Sequence, residues 1–281
     1  MSRFKDQAVC IRHIDWSETS QVVALFTREQ GKVRGLAKGS RRTSPGAIAR
    51  FSGGIDLLTR GEVIATIKPT TELAAITEWD LQDPFHHLRT DLTAWRLGMY
   101  AADLAGALTA DHDAHPVTFD AMVRFLEAIG EESAKPRAAG GPGAQAVLLR
   151  FQWDVLSDCG FKPELKVDVR SGEALDERDG AGAAASAASG ALVFDARAGG
   201  LTREAVESVA AGRVSSGGPW RVRKETVALL RSLDEGKGAA AVEAMDAERL
   251  TRANRLLCVY VRAIVDRELP TMGFVLNGER G

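Results

Sequence analysis

Five short β-forming runs are crowded into the first 80 residues. Strands this short, with so little chain between them, leave few architectures open. An open sheet would expose unpaired edges, whereas closing it into a small barrel removes them. The first runs are Gln7–Ile11 and Ser20–Thr27. A turn follows at Glu29-Gln30-Gly31-Lys32, where Gly31 can take a positive φ, and the chain resumes as a strand over Lys32–Lys38. Ile55–Leu58 and Val63–Ile67 read as a hairpin joined at Arg60-Gly61-Glu62. Ser40 to Ser52, with Pro45 and Gly46, reads as a loop.

The period changes near residue 83. Asp83-Pro84 has the form of an N-cap followed by proline at the first helical position. Leu88, Leu92, Trp95, Leu97, Met99, Leu104 and Leu108 then recur at roughly helical spacing. Further helices are predicted over Pro116–Ile129 and Gln145–Asp158, separated by a Pro/Gly-rich loop from Ser133 to Gly143. Residues 176–191 are Ala/Gly/Ser-rich, with no large apolar group to offset ordering entropy, and predict a mobile loop. The last helix is predicted over Asp246–Glu268, with Leu250, Leu257, Val261 and Ile264 on one face and Pro270 as its stop. The expected class is therefore α+β: a barrel domain over residues 1–80, then a helical domain over 81–281.

Charge is distributed unevenly. Residues 1–68 carry a net +6 and the rest a net −8, which combine to the overall −2. A basic part set against an acidic remainder points to a polyanion partner. Arg28, Lys32, Arg34, Lys38, Arg41 and Arg42 lie within fifteen residues that hold one acid, Glu29. Strand alternation puts Lys32, Arg34 and Lys38 on one side. Phosphate binding needs such density, because each neutralised phosphate releases counterions. Arg252, Arg255 and Arg262 share one side of the last helix and form a possible second basic face, for DNA or for an acidic tail. Trp16, Phe26 and Phe51 could stack bases, but core packing accounts for them more simply, above all for Phe26 inside an apolar run.

Other chemistries find little support. There is no run of about 18 apolar residues to span a membrane. No apolar segment follows the N-terminal Met1-Ser2-Arg3-Phe4-Lys5-Asp6, so a secretory signal is not expected. Cys10, Cys159 and Cys258 are far apart and odd in number, which suits a reducing cytoplasm. Gly35 to Ser40 fails the spacing of a phosphate-binding loop. Asp111-His112-Asp113-Ala114-His115 has metal-ligating residue types, but its place between helices and beside Pro116 predicts a solvated linker. His86-His87 falls in the first turns of a helix, where a surface or half-buried role is expected. The expectation is a protein with no catalytic site and no cofactor. Two rivals stand beside it: a generic RNA- or single-strand-binding module, and a metal-dependent hydrolase built on the histidine cluster.

One pattern is more specific. Ala8-Val9-Cys10-Ile11-Arg12 is followed by Ser17-Glu18-Thr19-Ser20, then by Leu25-Phe26-Thr27-Arg28-Glu29-Gln30-Gly31-Lys32 and Ala37-Lys38-Gly39-Ser40-Arg41-Arg42. This order resembles the opening of RecO proteins, the recombination mediators of bacteria. Phe51 and Leu57-Leu58 fall where that family places its next strand. The ending Arg267-Glu268-Leu269-Pro270, then Phe274-Val275-Leu276, is similar more weakly. The resemblance covers the first 85 residues well and the helices in outline. It implies an OB-fold domain, then a helical domain with a small ribbon-like insertion at about 160–200. It implies binding to single- and double-stranded DNA, annealing of complementary strands, and help in loading RecA. The implied partners are RecR, RecF and the C-terminal tail of the single-strand-binding protein; no membrane is implied, and the location is cytoplasmic, with the nucleoid. Many relatives bind zinc through paired cysteines in the insertion. Residues 160–200 here have neither cysteine nor histidine, so a metal-free insertion is expected.

Overall fold

The computed structural model describes residues 2–68, 71–134, 143–175, 192–203, 219–235 and 246–276. The chain divides into two compact units, Met1–Ala134 and Lys135–Gly281. The change of period near 83 falls inside the first unit, so the helices up to Ala134 belong with the barrel.

Five strands form that barrel: β1 (Ser2–Ser17), β2 (Ser20–Thr27), β3 (Gly31–Ala37), β4 (Arg60–Ile67) and β5 (Ala74–Asp83). They close in the order β1-β2-β3-β5-β4. The long β1 serves both sides, pairing residues 2–9 with β4 and 8–17 with β2. Closure comes from the one parallel pairing, Gly35–Ala37 of β3 along Ala74–Ile76 of β5. A Cβ at Gly35 would stand 2.7 Å from the Ile76 side chain, so only glycine lets these strands meet. Val23, Leu25, Val33, Phe51, Ile55, Val63, Ile76 and Trp79 fill the interior.

Several boundaries differ from the sequence reading. Ile55–Leu58 is not a strand, and Arg60-Gly61-Glu62 lies inside β4 instead of turning between strands. The fifth strand is Ala74–Asp83, whose outer positions are polar and whose apolar alternation is short. The stretch Ser40–Ser52 contains a short helix, α1 (Pro45–Phe51), with Ser44 at its N-cap and proline in its first turn. That Ser-Pro start signal was present in the sequence. Asp83 ends β5 and its carboxylate accepts from the Phe85 N–H at 2.8 Å, so it caps a turn and not a helix. The predicted long helix is broken into α2 (His87–Thr90) and α3 (Leu92–Leu108), where Asp91 caps the second by accepting from Ala94 N–H at 2.9 Å. Then comes α4 (Pro116–Ala134), longer than predicted. A β-bulge at Ile11 interrupts the β1–β2 ladder. A Cβ on Gly106 of α3 would meet the Ile11 side chain at 3.3 Å, so the bulged residue reaches the helix.

The second unit begins with α5 (Gly143–Asp158). A three-stranded ribbon follows, β6 (Val193–Asp195), β7 (Gly200–Thr202) and β8 (Trp220–Arg221), in the order β7-β6-β8. The remaining helices are α6 (Lys224–Asp234), α7 (Ala247–Val265) and α8 (Gly273–Leu276). The last long helix stops before Pro270, because Asp266 takes a left-handed conformation with φ 50°. α5 and α7 pack together, with Leu148, Leu149, Leu250 and Leu257 buried, and share a buried amide pair, Gln152 Nε2 donating to Asn254 Oδ1 at 2.7 Å. The predicted mobile loop at 176–191 and most of the predicted loop at 133–143 lie outside the described residues.

The ribbon is organised by carboxylates. Asp168, buried, accepts from the N–H groups of Arg170 (2.9 Å), Ser171 (3.2 Å) and Arg203 (2.7 Å). Asp195, also buried, accepts from Arg197 N–H (3.0 Å) and Ala198 N–H (3.1 Å), and Arg170 reaches across to it at 2.7 Å. Two Asp-x-Arg-x-Gly turns, 168–172 and 195–199, are thus held and joined without sulfur or imidazole. Burial alone would raise the Asp168 carboxyl, but the backbone donors outweigh it and hold it below its usual value. These residues do not suit zinc: the donor set is two carboxylates, each already saturated by hydrogen bonds.

Candidate nucleic-acid interface

The six basic residues singled out by sequence do not share one fate. Arg28 donates from Nε and Nη2 to the two oxygens of Asp120 on α4, at 3.0 and 2.9 Å, and also pairs with Glu29. The Arg28 bond holds the Asp120 carboxyl below its usual value. Lys32 donates to the carbonyls of Gly106 (2.7 Å) and Thr109 (3.0 Å) and pairs with Asp111 at 3.2 Å. A cation on the last carbonyls of α3 satisfies groups the helix leaves unpaired and complements its dipole. Arg34 pairs with the same Asp111 at 3.2 Å. The segment expected to be a solvated linker therefore lies along β3, where His112 N–H also donates to the Lys32 carbonyl at 3.0 Å. Its histidines form no metal cluster, and no group of three or more His, Cys, Asp or Glu suited to a metal occurs among the described residues.

Lys38 and Arg42 behave otherwise. They border a groove of about 850 Å³ at the end of β3, together with Arg50 of α1 and Lys68 at the end of β4. Leu36, Leu73 and Ile76 supply apolar lining, and Glu72 is the one carboxylate in it among the described residues. None of the four cations pairs with a carboxylate among the described residues. Arg41 does not line the groove and pairs with Asp15 at 2.6 Å.

The loop that carries Lys38 and Arg42 is rigidly tied. Gly39 N–H donates to Ser20 Oγ (3.2 Å) and Arg41 N–H to the Thr19 carbonyl (3.1 Å). Ser40 Oγ donates to Gln21 Oε1 at 3.0 Å. The wholly buried Gln21 amide also accepts from Ile55 N–H and donates to the Ile55 carbonyl, at 3.1 and 3.0 Å. One side chain therefore fixes both segments leading into the groove. Sequence reasoning missed Arg50 and Lys68. The Ser44-Pro45 helix start could have exposed Arg50, but nothing local marks Lys68, which joins the groove only through barrel closure.

Of the three aromatic residues weighed for stacking, Phe26 and Phe51 are buried in the core, 0 and 1% exposed, while Trp16 is 68% exposed. The second unit has its own basic groove of about 340 Å³. Arg221, Arg223, Arg252, Arg255 and Arg262 line it around Trp220, Leu256 and Val259. Arg252 pairs with Glu248 through one nitrogen, while Nε of Arg252 and of Arg262 is buried without a hydrogen-bond partner. No helix among the described residues is long and apolar enough to cross a membrane.

A closed five-stranded barrel of the OB type, joined to helices and a small ribbon, defines an α+β protein with two cationic grooves. The chain belongs to the recombination protein O family: residues 1–85 match the model of its N-terminal part and residues 89–272 that of its C-terminal part. It is similar to the DNA repair protein RecO of Anaeromyxobacter dehalogenans, 28% identical over 98% of this chain and 96% of that one. The RecO protein of Myxococcus xanthus is 27% identical over 98% of both chains. That of Salinibacter ruber reaches 33%, over 47% of this chain and 49% of its own.

Proposed function

We propose that the chain serves DNA repair and homologous recombination as a cytoplasmic mediator that binds single- and double-stranded DNA and anneals complementary strands. The observation that carries this reading is the barrel groove, whose Lys38, Arg42, Arg50 and Lys68 have no carboxylate partner among the described residues while other cations of the same barrel do. Two strands repel through their phosphates, and a surface with unpaired cations lowers that repulsion where they meet. The mechanism is binding and not catalysis, so no nucleotide is consumed. Residues 1–80 form the DNA-binding domain in this reading. The arginine groove of the second unit suits an acidic segment with an apolar tip, which fits the tail of the single-strand-binding protein. RecR and RecF are the further partners, and loading of RecA onto coated strands is the outcome.

The test is a fluorescence annealing trace on complementary strands coated by single-strand-binding protein, with or without its acidic tail. Annealing should be indifferent to ATP, fall steeply with salt, and slow when the tail is removed. A requirement for ATP overturns the binding mechanism, and equal rates on both coats remove the tail from the reading. Equal affinity for RNA and DNA with no annealing would favour a generic single-strand-binding module instead.

A further inference from the structure

We infer that Trp16 is a base-stacking platform beside the barrel groove, and that it gives the groove a preference for unpaired strands. The inference rests on the DNA-binding reading of the groove and specifies its substrate.

Trp16 is the extra residue of a β-bulge. Across the β1–β2 ladder Asp15 opposes Gln21 and Ser17 opposes Ser20, so two steps on β1 match one on β2. A bulge re-aims a side chain out of the regular alternation. Here the result is a large indole left 68% exposed, with Ile14 at 62% two residues before it. The same barrel leaves Phe26, Phe51 and Trp79 no more than 1% exposed.

The strand end that bears the indole is tied to the loop that carries two of the groove's cations. The hairpin tip that bears it is fastened to the 38–42 loop at three points: Ser20 Oγ from Gly39 N–H, the Thr19 carbonyl from Arg41 N–H, and Asp15 from the Arg41 guanidinium. Lys38 and Arg42 flank those fastenings in sequence and face the groove. An exposed aromatic face held beside positive charge is the pairing that single-strand binders use, with cations tracking the phosphates and rings taking the bases. A duplex offers phosphates but no free base face, so it would use the cations alone. The indole therefore adds affinity only for strands with unpaired bases.

The experiment compares binding of an oligothymidylate, an abasic strand of equal length and a blunt duplex, at one salt concentration. Trp16→Ala should weaken oligothymidylate binding by roughly tenfold and leave the abasic strand and the duplex unchanged, with Trp16→Phe keeping most of the affinity. The emission difference between wild type and Trp16→Phe isolates this indole from the other tryptophans, and oligothymidylate should quench it. Unchanged oligothymidylate affinity, or equal losses on all three ligands, overturns the inference. A Trp16-dependent change in sedimentation with no effect on strands would assign the indole to a second copy of the chain, and overturns it as well. Lys38→Glu with Arg42→Glu separates the two readings. That pair should weaken all three ligands; if it leaves the duplex untouched while Trp16→Ala still costs single-strand affinity, the groove reading falls and the stacking stands.

Discussion

Lys32 and Lys38 are six residues apart, on one stretch of barrel, with the same charge, yet they serve opposite purposes. Lys32 is spent inside the molecule, on two carbonyls at the end of α3 and on Asp111. Lys38 stands at a groove with three other cations and, among the described residues, no carboxylate partner. The same division runs through the whole basic stretch: Arg28 and Arg34 are engaged by Asp120 and Asp111, Arg42 is open, and Arg41 braces the hairpin tip. Density of positive charge along a sequence thus measures two different things. Part of it anchors helices to the barrel, and only the remainder is available to a polyanion.

The largest effect expected from this division is on DNA. Each phosphate contact is worth about fivefold in affinity near 0.15 M salt, from a slope of about 0.9 per contact. Charge reversal at Lys38, Arg42 and Arg50 together should therefore cost at least about a hundredfold and flatten the salt dependence by about three units. All three are exposed, so the melting temperature should hold. A titration of fluorescent oligonucleotide at several salt concentrations reads both numbers. If the same loss followed from Arg28→Ala and Arg34→Ala instead, the division would be drawn in the wrong place.

Lys32 supplies the converse. Its side chain is only 18% exposed, and Lys32→Met leaves the Gly106 and Thr109 carbonyls without their donor. Hydrogen bonds to a charged group contribute roughly 1.5–3 kcal/mol, so denaturant melts should show a loss of about 2 kcal/mol. Oligonucleotide affinity should change by less than about twofold. A stable Lys32→Met with poor DNA binding would place this lysine with the open set.

How far the sequence foretold this can be followed at the same residues. Period-2 alternation put Lys32 and Arg34 on the outer face of β3, and the structure has Val33, Gly35 and Ala37 buried beneath them. Alternation reports a face, however, and says nothing of what packs on that face. The acids that consume Arg28 and Arg34 arrive from 92 and 77 positions away in the chain, through packing of α4 and of the α3–α4 connection. The fifth strand was hidden for a related reason: Ala74–Asp83 alternates with Glu, Asp and Gln, and its register comes from pairing with β4 and closing on β3. The ribbon was expected only through the family resemblance, and the residues themselves added a lack of cysteines. The repeated Asp-x-Arg-x-Gly at 168–172 and 195–199 marks two turns, but the bonds that join them, Arg170 to Asp195 and Arg203 N–H to Asp168, come from pairing distant in sequence.

Arg28 sharpens the comparison by pH. Its bond to Asp120 holds that carboxyl below the usual carboxylate value, so the pair's contribution is complete above about pH 4. It is lost as pH falls through the depressed value, because protonated Asp120 no longer accepts two bonds from the guanidinium. Arg28→Ala should lower the melting temperature by a few degrees at most at pH 7, since both partners are well exposed, and by less still at pH 3. Melts of the two proteins across that range should converge on acidification. Curves that stay parallel would mean that Arg28 acts through packing and not through Asp120.

The smallest effect expected is the one that moves a residue across the division. Asp111 holds both Lys32 and Arg34, at 3.2 Å each. Asp111→Asn removes the charge and keeps the shape. Lys32 retains its two carbonyls and stays anchored, whereas Arg34, with a side chain 52% exposed, loses the only carboxylate bonded to it among the described residues. Arg34 then joins the open cations on the outer face of β3. Release of one further cation adds at most one phosphate contact, so DNA affinity should rise by about twofold to fivefold and the salt slope should steepen by up to about one unit. Because the lost ion pairs are partly exposed, stability should fall by no more than about 1 kcal/mol. The double variant Asp111→Asn, Arg34→Ala should return affinity to the starting value. If it does not, the gain comes from elsewhere on the barrel, and Arg34 is kept from DNA by its position and not by its partner.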